Sequence, residues 1–106
     1  MCYYAIIKTE GIKPFSNYKP KISSDFKMYF EQQIKVKKPP SILVYPKSDK
    51  FIMSDDYNSF YSYLDQGYRE ILCMVLGDPK GKYVLSKSEP FQYSIPGAVI
   101  INDKTS

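Results

Sequence analysis

Apolar and polar positions along the chain sort into short blocks whose periods differ. The first block, "CYYAIIK" (residues 2–8), is β-branched and aromatic and predicts a strand, closed by Gly11 and Pro14. Residues 13–21, "KPFSNYKPK", carry prolines at 14 and 20 that keep the backbone extended, which predicts a connecting loop. The period then changes. In "SSDFKMYFEQQIKVKK" (23–38), Phe26, Tyr29, Phe30 and Ile34 fall on one helical face, with Ser23 or Ser24 as N-cap and Asp25 in the first turn. Lys35, Lys37 and Lys38 suit the negative end of that helix, and Pro39-Pro40 stop it.

"SILVY" (41–45) is a short continuous apolar run, as in a strand buried on both faces. A turn over residues 46–49 returns the chain as an antiparallel strand, "KFIM" (50–53). From Asp55 onward Tyr57, Phe60, Tyr61 and Leu64 recur at i, i+3, i+4 and i+7, predicting a second helix whose stripe faces the sheet. Ser54 or Asp55 can cap its start, and Gly67 suits the left-handed position after its end. "REILCMVL" (69–76) reads as the central strand. "GDPKGK" turns the chain, "YVLS" pairs back, and "FQYSIPGAVII" (91–101) supplies one or two closing strands broken at Pro96-Gly97. The order predicts an α+β fold, a small mixed sheet with two main helices.

Length and composition narrow this further. With 106 residues, 43% of them hydrophobic, one domain over residues 1–106 is expected. The net charge of +4 is unevenly spread, because residues 1–38 hold eight lysines and three acids. Arg69 is the only arginine, so planar bidentate reading of bases or phosphates has one candidate residue. The absence of histidine excludes His-based catalysis and the usual zinc sites. Cys2 and Cys73 form no metal-ligand or disulfide pattern: Cys73 reads as an inert core thiol, and Cys2 as an exposed one without a role. The N-terminal run lacks the charged and apolar regions of a secretion signal, and no stretch nears the length of a membrane span, so a cytoplasmic location with no membrane partner is expected.

The chain resembles the ParB/sulfiredoxin-like domain, with the likeness concentrated in residues 40–76 of the stretch "PSILVYPKSDKFIMSDDYNSFYSYLDQGYREILCMVLG". Asp55 matches the aspartate of that family's "Asp-Gly-x-His-Arg" type turn, Gly67 the glycine after its helix, and "YREILCMVL" its last strand. The resemblance implies the fold. In the family, the turn and the following helix N-terminus hold nucleotide phosphates with backbone N–H groups, the helix dipole and the arginine. Here Asp56, Tyr57, Asn58 and Ser59 stand where the glycine, the histidine or asparagine, and the arginine belong. A carboxylate where phosphate would approach argues against inheriting that chemistry, and the catalytic cysteine of sulfiredoxins is absent from the turn.

Two groups of residues remain candidates for function. Ser54, Asp55, Asp56, Asn58 and Ser59 form an oxygen-rich turn, open to a helix-capping role or to Mg²⁺ and phosphoryl-transfer chemistry. The cluster Lys35, Lys37 and Lys38, together with Lys13, Lys19 and Lys21, is the strongest basic feature, and tyrosines, 11 of the 106 residues, recur beside lysines in "NYKPK", "KMYF", "VYPK" and "GKYV". Lysine neutralises phosphate and aromatic rings stack on bases, so Tyr18, Tyr45 and Tyr63 are candidates for either a nucleic-acid surface or ordinary packing. The expected function is a non-catalytic, ParB-like module that binds nucleic acid or a nucleoprotein and needs no cofactor. A free-standing basic domain of this size also suits an accessory protein of a phage or mobile element. The alternatives are a Mg²⁺-dependent nucleotide-binding enzyme of the same fold and a protein-interaction module or inhibitor.

Overall fold

The computed structural model describes residues 1–92. Its strands are β1 (Cys2–Lys8), β2 (Ile12–Pro14), β3 (Ile42–Lys47), β4 (Lys50–Met53), β5 (Glu70–Leu76) and β6 (Val84–Lys87), and its helices are α1 (Ser24–Lys35) and α2 (Tyr57–Asp65). The six strands form one mixed sheet in the order β2-β4-β3-β5-β1-β6. β3 and β5 run parallel, as do β2 and β4, while the other neighbours are antiparallel. The fold is therefore α+β with two helices, as the periodicity predicts. Residues 93–101, the greater part of the predicted closing strands, lie outside the described residues; within them Phe91 bridges Cys2.

The sheet is curled. Only a three-residue 3-10 turn, Thr9–Gly11, links β1 to β2, yet β2 lies four strand spacings away across the sheet. Four spacings of about 4.8 Å come to about 19 Å in a flat sheet, whereas four residues reach about 14 Å at most. The two edges must therefore approach each other. They meet at Gly11, where an added Cβ would overlap the ring of Tyr83, the residue before β6. A side chain at position 11 would hold the edges apart.

Strand alternation gives the sheet two unlike faces. Ala5, Ile7, Ile42, Val44, Phe51, Met53, Ile71, Cys73 and Val75 are buried together with Phe60 and Tyr63 of α2 and Phe30 of α1. The opposite face carries Ile6, Leu43, Tyr45, Ile52, Leu72 and Met74, all half-buried, with no helix over it among the described residues. Helix α1 starts as predicted: Ser23 accepts a hydrogen bond from the Phe26 N–H at 3.1 Å. It ends in a left-handed residue, Lys37 (φ 63°), with the Lys38 N–H on the Gln33 carbonyl and the Lys37 N–H on that of Ile34. No helix among the described residues is long and apolar enough to cross a membrane.

Several expectations need correction. The segment read as a loop after Gly11 contains β2, which forms because β4 offers it an edge. The hairpin turn is two residues, Ser48-Asp49, and β3 runs on through Pro46 to Lys47, which pairs with Lys50. β6 pairs with β1 and not back onto β5. On α2 the buried pair is Phe60 and Tyr63, while Leu64 is exposed, because α2 meets Phe30 of α1 on its Tyr63 side. Tyr29 is half exposed, since α1 buries only the narrow Phe26–Phe30–Ile34 stripe. Cys2 is buried, not exposed.

Candidate functional site

At the polar turn the two adjacent aspartates separate in role. Asp56 occupies the N-cap position of α2 without accepting a capping hydrogen bond; its Oδ2 instead accepts the Leu43 N–H at 2.7 Å. The β3–β4 ladder ends at Val44 and Met53, so Leu43 lies one residue past it, and the carboxylate takes the place of the missing strand. Neither Ser54 nor Asp55 is the cap residue, which corrects the capping assignment. Asp55 and Asn58 are exposed, and Ser54 and Ser59 are half-buried. Among the described residues no three His, Cys, Asp or Glu side chains converge as metal ligands would.

Over the same helix lies the loop that follows β2. The Tyr57 hydroxyl bonds Ser16 through both its N–H (3.1 Å) and its Oγ (2.9 Å), and Tyr18 packs edge-on against Tyr57 at 5.2 Å. Lys19 places its ammonium 5.3 Å from the centre of the Tyr61 ring. Tyr57 and Tyr61 thus receive this loop as well as touching the core. Tyr63 is buried, its hydroxyl donating to the Pro40 carbonyl, and burial holds its phenol well above the usual range. It offers no stacking surface. Burial likewise pushes the Cys73 thiol up to about 12, so the protonated form prevails in neutral solution.

The basic residues do not form one patch. Lys35, Lys37 and Lys38 surround the end of α1, Lys19 and Lys21 belong to the loop before α1, and Lys13 is on β2. Lys38 leads through Pro39-Pro40 into the start of β3, whereas Lys47 is at the other end of that strand, about 17 Å away at 3.3 Å per residue.

Lys13 and Tyr45 do come together. Ile52 of β4 is flanked by Lys13 on one side and Tyr45 on the other, so the three form a row across the open face. Phe15, Lys47 and Lys50 join Lys13 and Tyr45 around one shallow cleft of about 380 Å³. Lys47 and Lys50 are directly opposite each other, an unfavourable like-charge pair. Asp49 supplies one carboxylate at the rim. Lys13, Lys47 and Lys50 form no ion pair among the described residues, where the two ion pairs both use Asp78. Sequence reasoning missed Phe15, Lys47 and Lys50. The signal for the lysines was the hairpin itself, since a two-residue turn at Ser48-Asp49 sets positions 47 and 50 opposite one another.

This architecture has a solved counterpart. The crystal structure of sulfiredoxin from Arabidopsis thaliana superposes with a TM-score of 0.57 over 68% of this chain and 82% of that one, at 10% identity. The fold is sulfiredoxin-like. At that identity the likeness concerns the path of the backbone and carries no activity across. No family model matches the chain, and no curated protein does. The β4–α2 turn and the open-face cleft are separate features of this chain, and their chemistry rests on the residues present.

Proposed function

We propose that this chain is a non-catalytic binding module for nucleic acid, acting through the open-face cleft. The observation that supports it is the grouping of Lys13, Lys47 and Lys50 around Tyr45 and Phe15, where an anion would relieve the repulsion of the Lys47–Lys50 pair even with the Lys50 ammonium 5.9 Å from the Tyr83 ring. The polar turn weighs against the enzymatic alternative, because the Asp56 carboxylate already holds the Leu43 N–H. Lys35, Lys37 and Lys38, at the far end of β3, constitute a second and separate phosphate-contacting candidate.

Fluorescence anisotropy of labelled oligonucleotides across a salt series tests the proposal. Binding should weaken linearly in log K against log salt, and replacing Lys13, Lys47 and Lys50 by Gln should flatten the slope by about 2 to 3, at 0.7 to 0.9 per lost phosphate contact. Absence of binding at low salt, in a protein whose circular dichroism is that of the folded chain, sinks the proposal. A slope that responds only to Lys35, Lys37 and Lys38 moves the interface to the end of α1.

A further inference from the structure

We infer that the cleft takes an unpaired nucleic-acid strand, with Tyr45 and Phe15 as platforms for its bases; this rests on the nucleic-acid reading above. The starting point is the distribution of aromatic partners. Nearly every aromatic side chain among the described residues is matched with another ring or with a lysine ammonium: Tyr4 with Phe91, Tyr18 with Tyr57, Phe30 with Tyr63, Phe60 with Tyr61, Tyr83 with Lys50 and Lys82. Three are not. Phe51 is sealed in the core, and the other two are Phe15 and Tyr45, which line the same cleft. Phe15 is 68% exposed, and the Tyr45 hydroxyl has no hydrogen-bond partner within the described protein.

Charge and size then select the occupant. Three lysines against Asp49 leave the cleft positive, so its ligand is anionic. A volume of about 380 Å³ is at the small-ligand end of the pocket range and has room for a nucleotide unit. Bases in a duplex are stacked on one another and show the protein only their edges, whereas an unpaired strand can lay a base face on a ring. Stacking on a ring is open to every base because each has a π-face, so this mode of holding a strand is sequence-tolerant.

The test compares three labelled probes of equal length at fixed salt: a single strand, made as DNA and as RNA, the corresponding duplex, and an abasic strand carrying the same phosphates. The single strand should bind about 5- to 150-fold more tightly than the abasic one for each stacked base. Tyr45→Leu and Phe15→Leu should each erase part of that margin, while Tyr45→Phe keeps it. Phe15 is so exposed that its variant reports on binding even where Tyr45→Leu fails to fold. Equal affinity for the intact and abasic strands, or a duplex bound as well as the single strand, overturns the base-platform inference. If the lysine variants still flatten the salt slope in that case, the nucleic-acid proposal survives as a phosphate clamp. No binding of any probe at low salt removes both.

Discussion

Asp55 and Asp56 are adjacent and chemically identical, yet the structure assigns them different consequences on substitution. The Asp56 carboxylate accepts the Leu43 N–H at 2.7 Å in a part-buried site, at the point where the β4 ladder has run out. A hydrogen bond to a charged group contributes about 1.5 to 3 kcal/mol, and its removal leaves a backbone donor without its acceptor. Asp56→Ala should therefore destabilise the fold by about 2 kcal/mol. For a domain of this size that corresponds to a Tm lower by about 8 to 16 °C. Asp56→Asn keeps an oxygen acceptor and loses only the charge, so it should fall between wild type and Asp56→Ala. Asp55→Ala, at an exposed position, should stay within about 0.5 kcal/mol of wild type. Urea melts of the three variants, each with and without millimolar Mg²⁺, measure all of this. Equal effects at positions 55 and 56 would refute the reasoning, as would a Mg²⁺-dependent stabilisation lost in either variant, which would instead restore a metal role for the turn.

Other substitutions probe separate parts of the fold. Gly11→Ala should cost about 1 to 3 kcal/mol in a chemical melt, because the added Cβ meets the base of the Tyr83 ring, which cannot swing away without moving its backbone; an unchanged midpoint would mean that the sheet edges do not close there. Lys37→Gly should raise stability by about 1 kcal/mol, since Lys37 holds a left-handed conformation (φ 63°) that suits glycine. If the end of α1 also contacts phosphate, the same variant should bind oligonucleotides more weakly despite its greater stability. The Cys73 thiol is raised by burial from 9.0 to about 12, so between those values the unfolded chain releases a proton that the folded one keeps. Stability is untouched below about 9 and should fall by about 1.4 kcal/mol per pH unit above it from this group alone, a component absent in Cys73→Ala.

Local signals along the chain determined most of the elements. Alternation, continuous apolar runs, the Ser23 cap, Pro39-Pro40 and Gly67 mark strands and helices through interactions that close within a few residues, and these were legible without a fold. The resemblance concentrated in residues 40–76 supplied the architecture for the same reason, because it consists of element order and spacing. What depended on distant neighbours was not legible. β2 is a strand only because β4 lies beside it, and Tyr63 is core rather than surface because Phe30 of another helix packs against its ring at 4.8 Å. Asp56 became a strand-end acceptor because Leu43 passes beside it. The sequence determined that lysines and aromatic residues would be abundant and interleaved. Only the curled sheet decided which of them share a cleft: strand pairing places Lys13, from near the N-terminus, two strands from Tyr45, and leaves Lys35, Lys37 and Lys38 at the opposite end of β3. A local pattern fixes a residue's face, but its neighbours across a sheet are set by pairing between segments far apart in the chain.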